Sequence, residues 1–245
     1  MPQWIGVKPL SQTCLNLITN KMASMCDKTS STAITSNTTN QSYFDQLPSK
    51  FLEEMISTLQ TKGCLKQFLC LLAAPQLGTL YLEVLSKEEY SVHFVNSLRC
   101  VYLRNLHLRS SVHINDIFLT SIIPTFAKLQ VLVISNSSAG DKSLKVIGTC
   151  CRYLRELEII DCKKITDFGV GMLCVNSARN LGREGDELGL HKSLLKLSSS
   201  GTKITNTGIR LGLETFHSLI VWDMVTGNFL AEIHEEDFLN PSSEI

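Results

Sequence analysis

The side chains best suited to chemistry in this chain are its nine cysteines and six histidines, and neither set has the spacing of a catalytic or metal centre. The adjacent pair Cys150 and Cys151 has no C-x-x-C partner, so the usual zinc spacing is missing. The histidines share no local pattern with a serine or cysteine nucleophile, although a triad can also assemble across sequence distance. They are His93, His107, His113, His191, His217 and His234. We therefore predict no catalytic residue, no metal ligand and no cofactor.

Phosphate, nucleic acid and membrane binding are also disfavoured. Gly169-Val170-Gly171 lacks the Lys and Ser/Thr that follow a phosphate-binding loop. The 23 basic residues equal the 23 acidic ones, so the chain has no net charge with which to attract nucleic acid or an anionic membrane. No apolar run is long enough to span a bilayer, the N-terminus lacks the pattern of a signal peptide, and the odd number of scattered cysteines is typical of a reducing compartment. These features predict a globular protein of the cytoplasm or nucleus.

The elements that would carry a binding surface are best seen between Leu154 and Leu173, where the apolar period changes. The first part has the alternation of a short strand and the second the spacing of a buried helical stripe. The strand positions are Leu154, Leu157 and Ile159, and the helical positions are Ile165, Phe168, Met172 and Leu173. Asp167 is predicted to be the helix N-cap, because its oxygens can accept the free N–H groups of the first turn. One such unit cannot bury its own apolar face, so neighbouring copies are expected.

Copies of this unit occur at a nearly constant spacing. The helix-start residues Asp116, Asp141 and Asp167 are 25 and 26 residues apart, which is the period of a leucine-rich repeat. The matching strand residues are Leu103, Leu106 and Leu108, then Leu129, Leu132 and Ile134. Weaker copies are Leu77-Leu80-Leu82 and Leu219-Val221. The sequence predicts an α/β leucine-rich-repeat solenoid, a ribonuclease-inhibitor-like horseshoe segment of five or six repeats at residues 76–232.

One repeat is longer than the others. Leu195 and Leu197 lead into Ile204-Thr205-Asn206, where Asn206 matches Asp167 but follows it by 39 residues. The surplus lies in the charged, glycine-bearing stretch from about Asn176 to Leu190, which we interpret as a surface insertion. The tail, residues 233–245, is acidic and is expected to fray.

Three segments precede the repeats. Residues 1–26 contain an amphipathic helix whose apolar side includes Leu10, Cys14, Leu17, Ile18, Met22 and Met25. Residues 27–44 are rich in Ser, Thr and Asn and predict a flexible linker, because such a segment cannot bury enough apolar surface to offset the entropy of ordering. Residues 45–75 predict two helices, the first with Phe51, Leu52, Met55, Ile56 and Leu59 buried, which cap the open end of the repeat array.

Two motifs in these segments are more specific than amphipathicity. Pro9, Leu10, Cys14 and Ile18 resemble the BC box by which substrate receptors bind elongin C. Leu47, Pro48, Phe51 and Met55 resemble the cullin box of cullin-2 receptors. Both boxes occur in the right order, with a polar spacer between them.

The combination of BC box, cullin box and leucine-rich repeats resembles the Zyg family of cullin-2 substrate receptors. The repeat at Cys151–Asp167 is similar to the cysteine-containing subtype also found in F-box proteins. The resemblance implies binding to elongin C with elongin B, to a cullin, and to an unknown protein substrate. Zyg receptors also carry a C-terminal armadillo domain that recognises substrate degrons, and the sequence stops before any such region. The alternative for residues 9–59 is a pair of plain capping helices.

Cys162 occupies a repeat position that also holds Ser111, Ser137 and Ser200. Small polar side chains stacked there can satisfy backbone groups of the turn in the preceding repeat. We favour this structural role over metal binding.

The outward residues of successive strands should align on one sheet face, which is the default partner surface of a solenoid. By repeat register they are Asn105, His107, Arg109, Val131, Val133, Glu156, Glu158, Leu194 and Lys196. An apolar middle with charged neighbours suits a protein partner, and an ordinary solvated sheet with two exposed valines is the alternative.

The function predicted from the sequence is that of a non-catalytic substrate-recognition subunit of an elongin-cullin RING ubiquitin ligase. The alternative is a leucine-rich-repeat interaction scaffold with no ligase link, and an enzyme is the least favoured reading.

Overall fold

The computed structural model describes residues 10–26, 43–83, 98–109, 113–178 and 189–224. The chain divides into two compact units, one of Met1–Leu77 with Ser97–Cys100 and the other of Gly78–Asn96 with Val101–Ile245. None of the helices in the described ranges is long and apolar enough to cross a membrane. The predictions for Pro9, for linker residues 27–42, for Ser111 and for the tail concern residues outside these ranges.

The first unit is helical. Its elements are α1 (Leu10–Cys26), a 3-10 turn (Tyr43–Gln46), α2 (Ser49–Thr61) and α3 (Leu65–Leu72). The last two match the predicted capping helices, and α2 buries the predicted residues Leu52, Met55, Ile56 and Leu59. Pro48 is the N-cap of α2, and Gly63, at φ +69°, lets the chain leave α2 in a left-handed turn. The 3-10 turn includes the last two residues of the predicted linker.

Helix α1 packs against α2 in the same unit. Its buried residues are Leu15, Thr19 and Met22, at the i, i+4 and i+7 spacing of one helical face. The Thr19 hydroxyl donates to the Leu15 carbonyl at 3.0 Å, which satisfies it without a partner from another helix. The prediction that Met22 shares a face with Leu10 is wrong, because Met22 belongs to the packed face and Leu10 to the opposite one.

The second unit is an α/β structure with one parallel six-stranded sheet whose strands follow chain order. Its strands are β1 (Thr79–Glu83), β2 (Asn105–Arg109), β3 (Val131–Val133), β4 (Glu156–Glu158), β5 (Lys196–Ser198) and β6 (Val221–Asp223). The helices between strands are α4 (Asp116–Ile122, then a 3-10 turn Ile123–Thr125), α5 (Asp141–Cys150), α6 (Asp167–Ala178), α7 (Leu190–Ser193) and α8 (Asn206–Thr215). This arrangement is compatible with a solenoid.

The inward strand residues form a continuous row across the sheet. Leu80, Leu106, Leu132, Leu157, Leu197 and Trp222 are paired in register, and all are buried. The inward residues predicted for β2, β3 and β4 are therefore confirmed as buried.

The predicted inward and outward positions around β5 and β6 are out of register with the structure. Leu194 is fully buried and was wrongly placed outward, while Leu195 is only half-buried. In β6 the inward residue is Trp222, whose indole Nε1 donates to the Ser199 hydroxyl at 2.9 Å, and Val221 faces outward beside Lys196. The pattern at β5 suggests that Leu195 and Leu197 are alternating inward residues of a strand. In the other repeats, however, the leucine before the strand lies three residues from the inward leucine within it, so the partner of Leu197 is Leu194.

The three helix-start aspartates differ from the predicted N-caps. Each is the first residue of its own helix, and each carboxylate accepts hydrogen bonds from the start of the next long helix. Asp116 accepts from the backbone N–H groups of Gly140 and Ser143 at 2.8 and 3.1 Å. Asp141 accepts from the N–H and hydroxyl of Thr166 at 2.8 and 2.9 Å. These side chains therefore link neighbouring repeats instead of closing their own helices.

Asp167 makes the same contact across the long repeat. Its two oxygens accept from the N–H and hydroxyl of Thr205 at 2.7 and 2.6 Å. Burial acts to raise the pKa of Asp167, but the hydrogen bonds from Thr205 and the backbone of Gly208 outweigh it and hold that pKa below its ordinary value. A Cβ on Gly208 would clash with the Asp167 carboxylate, so glycine leaves room for this link.

Two further expectations around α6 are wrong. Phe168 is 66% exposed, because the buried stripe of α6 consists of Val170, Leu173 and Cys174. The predicted insertion is also too wide: α6 runs to Ala178, and Leu190 is buried in α7. Residues 179–188 lie outside the described ranges.

Candidate functional site

Helix α1 presents an apolar face away from its packed side. This outer face of α1 consists of Leu10, Cys14, Leu17, Ile18 and Met25, all exposed. Leu10 is 79% exposed and Ile18 is 46% exposed. The three described BC-box positions recur every four residues, so they lie on one side of the helix. Lys21 is the only charged residue of α1, so contacts made through this face would be mainly apolar.

The predicted cullin-box residues are divided by the fold. Pro48 is exposed at the start of α2, and Leu47 and Phe51 are half-buried beside it. Met55 is 1% exposed, so its assignment as a cullin-contact residue is wrong. It fails because Met55 lies on the same stripe as Leu52 and Ile56, which pack into the unit.

Hydrogen bonds fix the backbone around this box. The Gln76 side chain amide donates to the carbonyls of Phe44 and Leu47 at 3.0 and 2.7 Å. Arg99 forms two parallel bonds with the Asp45 carboxylate at 2.7 and 2.8 Å. Leu47 and Pro48 are thus held in a defined conformation before α2 begins.

The second candidate surface is the outer face of the sheet. Strand pairing aligns it in two rows, Thr79, Asn105, Val131, Glu156, Lys196 and Val221, then Tyr81, His107, Val133, Glu158, Ser198 and Asp223. Apart from Leu194, which is buried, the sheet residues predicted to face outward therefore lie together on this face. The structure adds Thr79 and Tyr81, which the alternation of the weak copy at Leu80 and Leu82 could have revealed.

Polar contacts cross the middle of this face. Arg109 pairs with Glu158 at 3.3 Å, although they lie on β2 and β4 with β3 between them. The same Glu158 oxygen accepts from the Ser135 hydroxyl at 2.7 Å. Val133 is flanked in its row by His107 and Glu158 and is only 4% exposed. The expectation of an exposed Val133 is therefore wrong, because longer polar neighbours shield it.

The β1–β2 end of the face is aromatic and polar. The rings of Tyr81 and His107 stack with centroids 4.2 Å apart and an angle of 16°. The Asn105 amide donates to the Thr79 hydroxyl at 3.1 Å. Burial and the charge of Arg109 lower the pKa of His107, while Glu158 and Glu156 act in the opposite direction.

Several buried cysteines are unsuited to nucleophilic chemistry. Burial raises the pKa of Cys100 to about 12, and it also raises the pKa values of Cys151 and Cys162. A thiol that stays protonated is a poor nucleophile. The Cys162 thiol instead donates to the Ile134 carbonyl at 3.1 Å and lies 3.3 Å from the Ser137 hydroxyl, as the stacked structural role predicts. In the long repeat, Thr202 occupies the position equivalent to Cys162. The prediction of Ser200 there is wrong because of the register error at β5.

Among the described residues, no group of three or more His, Cys, Asp or Glu is arranged to hold a metal ion.

Comparisons with known proteins add little to this geometry. No protein-family model and no curated protein sequence matches the chain. Among solved structures it is similar to a chain in the crystal structure of the Rad7 and Elc1 complex in yeast, with 13% identity and a TM-score of 0.37. The match covers 76% of this chain and 62% of that one. A similarity at this level identifies neither a family nor a function.

Proposed function

We propose that the protein is a Zyg-type substrate receptor: a leucine-rich-repeat solenoid that recruits a protein substrate to an elongin-cullin RING ubiquitin ligase and has no catalytic activity of its own. The observation that carries the proposal is the outer face of α1. The described residues that match the BC box, Leu10, Cys14 and Ile18, are exposed, while the packing of α1 uses a different face.

This separation of exposed and packed residues argues against the alternative that the motif residues are only core residues. If Leu10, Cys14 and Ile18 were only core residues of a capping helix, they would pack against α2, but Leu15, Thr19 and Met22 do so instead. An exposed row of large apolar side chains is stabilised when a partner covers it. Elongin C, with elongin B, is the proposed partner.

The cullin contact is proposed at the start of α2, through Leu47, Pro48 and Phe51 without Met55. The two boxes contact different ligase subunits in the families that the sequence resembles. The hydrogen bonds around Leu47 support a preformed contact, which lowers the entropic cost of binding.

The substrate is proposed to bind the sheet of the second unit, on the face that carries Asn105, His107, Val131, Glu156, Glu158 and Lys196. Ubiquitin transfer would be catalysed by other subunits, and the complex would act in the cytoplasm or nucleus. The raised thiol pKa values of the buried cysteines support a role without nucleophilic catalysis.

Leu10→Ser tests the elongin contact. Losing one buried leucine from an interface costs about 1.5–3 kcal/mol, which weakens binding about ten- to a hundredfold. Elongin C–elongin B binding to the purified full chain should fall by this factor, as measured by calorimetry. Ile117→Ser is the matched control, since it removes an equally exposed aliphatic side chain from α4, outside the outer face of α1, and should retain the parent affinity. Unchanged binding by Leu10→Ser would refute the BC-box assignment.

Pro48→Ala combined with Phe51→Ala tests the cullin contact. The double variant should still capture elongin C from cell extracts but should lose the cullin. Loss of both partners from a folded variant would contradict two independent boxes.

The burial of Met55 favours a second candidate, an interaction scaffold whose α2 serves only as a cap. The same experiments separate the two functions, because a scaffold with no ligase link would not bind elongin C in the parent form.

A further inference from the structure

The amino-terminal edge of the sheet has an unusual charge. We define this edge as the four residues before each of β2 to β6, namely 101–104, 127–130, 152–155, 192–195 and 217–220. It contains the cations Arg104, Lys128, Arg152, Arg155 and Lys192 and no aspartate or glutamate. The whole chain has equal numbers of basic and acidic residues, so this positive region reflects local segregation of charge.

Backbone hydrogen bonds fix the residue that immediately precedes each strand. The Arg104 carbonyl accepts from the N–H groups of Gln130 and Val131, at 2.7 and 3.0 Å. The Gln130 carbonyl accepts from Arg155 and Glu156 in the same way, at 2.7 and 3.0 Å. Neighbouring strands are about 5 Å apart, so Arg104 and Arg155 are two steps, about 10 Å, from each other along the edge. The cations are thus carried on a rigid scaffold.

A cavity of about 340 Å³ opens at this edge. Its lining includes two cations, Arg155 and Lys192, two neutral polar side chains, Gln130 and Ser193, and the Tyr153 ring. Within the described ranges neither Arg155 nor Lys192 forms an ion pair, whereas Arg99 and Arg109 each do. Among the residues that the structure describes, the lining thus combines positive charge, hydrogen-bonding groups and an aromatic surface, and it includes no carboxylate.

We propose that this cavity binds an acidic peptide segment of a protein partner. Arginine can pair with a carboxylate through two parallel hydrogen bonds, and Lys192 adds a second positive charge. Gln130 and Ser193 can bond the peptide backbone, and Tyr153 offers a ring against which an apolar side chain packs. The volume is at the small end for ligand sites, so it suits one or two side chains of an extended segment.

A peptide fits this edge better than a nucleic acid. Domains that bind nucleic acid usually have a strongly basic isoelectric point, whereas this chain has a pI near 7.0. The inference deepens the proposed receptor function, because it names the substrate class as acidic and adds the amino-terminal edge of the sheet to the proposed contact surface. It rests on that function only for the identity of the partner, since peptide binding is measurable without any ligase subunit.

Arg155→Glu combined with Lys192→Glu tests the site in the full chain. The probe is fluorescein-labelled hexaglutamate, followed by fluorescence anisotropy in about 10 mM salt and again in about 150 mM salt, where surface charges are more strongly screened. The parent should bind the probe, more weakly at the higher salt, and the double reversal should weaken binding about tenfold or more.

Lys142→Glu combined with Lys145→Glu is the matched control, because it changes the net charge equally on exposed positions of α5. The control should lose less than about threefold, as expected for charges beyond the contact.

Thermal unfolding confirms that each variant is folded before binding is compared. No binding by the parent at low salt, or equal loss in both double variants, would overturn the proposal. Tighter binding of a labelled oligothymidylate than of hexaglutamate, lost in the same double reversal, would also overturn it and assign the edge to nucleic acid. Elongin C binding by the double reversal is measured alongside: if it stays at the parent level while hexaglutamate binding is absent from the parent, the edge site fails and the receptor function stands.

Discussion

The outer face of α1 and the outer face of the sheet expose different chemistry, although both are candidate partner surfaces. The first is a row of apolar side chains with one lysine in the entire helix. The second is covered by contacts that its own residues make with one another, such as Arg109 with Glu158 and Tyr81 with His107. A partner gains free energy by covering the first, but it must displace or accept existing polar contacts on the second.

This difference assigns separate roles to the two surfaces. Apolar burial supplies affinity in proportion to the area covered, so the α1 face is suited to a constant partner. Polar and charged groups contribute more to specificity and to the rate of association than to affinity, so the sheet is suited to selecting among partners.

The largest effect is expected from Leu132→Arg in β3. Leu132 is fully buried, so the variant would place an unpaired charge in the core and destabilise the second unit by about 4 kcal/mol or more. Val131→Arg, one residue away on the outer face, should change the free energy of unfolding by less than about 1 kcal/mol. Chemical denaturation of both variants measures the difference.

Val133→Arg tests how firmly the side chains around Val133 shield it on the sheet face. Val133 points outward by register but is shielded, so its loss of stability should lie between those of the two neighbours. A Val133→Arg variant as stable as Val131→Arg would show that the Arg109–Glu158 pair opens freely and that the face is less occupied than the structure indicates.

The next effect concerns α1. Leu15→Ala should destabilise the first unit by about 2–5 kcal/mol, because it leaves a cavity against α2. Leu17→Ala removes an equal side chain from the outer face and should cost less than about 0.5 kcal/mol. Hydrogen exchange of the amides in α2 localises the loss to this unit. Equal costs for the two variants would mean that α1 does not have one packed and one exposed face.

The sequence predicted the inward residues of β2 to β4 because their leucines follow a strict spacing. It failed at β5 and β6, where Leu194-Leu195 and Trp222 break that spacing and two registers are possible. It also misplaced Asp116, Asp141 and Asp167 as N-caps, since local patterns cannot reveal that a carboxylate bonds to the next repeat. The BC-box residues were found by motif, but only packing against α2 could separate their face from that of Leu15 and Met22.

A smaller effect is expected for the polar contacts of the sheet face. Glu158→Ala removes the partner of Arg109 and of the Ser135 hydroxyl. Because the ion pair is partly exposed, the loss should be about 0.2–1 kcal/mol and should shrink at high salt. Glu156→Ala is the control, since Glu156 is exposed in the neighbouring row and forms no ion pair within the described ranges. Thermal unfolding at low and high salt distinguishes them.

The smallest effect is a pH dependence that only the sheet face should show. The pKa of His107 is lowered, first by burial and then by Arg109, against the opposing effect of Glu158 and Glu156. The ring also stacks on Tyr81. Because the folded pKa is below the unfolded value of about 6.5, the unfolded chain binds more protons between the two values. The contribution of His107 to stability is therefore fully present above about pH 6.5 and declines as the pH falls toward the folded pKa.

His107→Gln should flatten this part of the stability profile relative to the parent, with the other five histidines unchanged as an internal reference. The outer face of α1 holds no histidine or carboxylate, so elongin C binding should not follow the same profile. If His107→Gln left the profile unaltered, the ring would have to be as well solvated in the folded chain as in the unfolded one. The contrast between the sheet face, whose side chains contact one another, and the exposed apolar face of α1 would then not hold at His107.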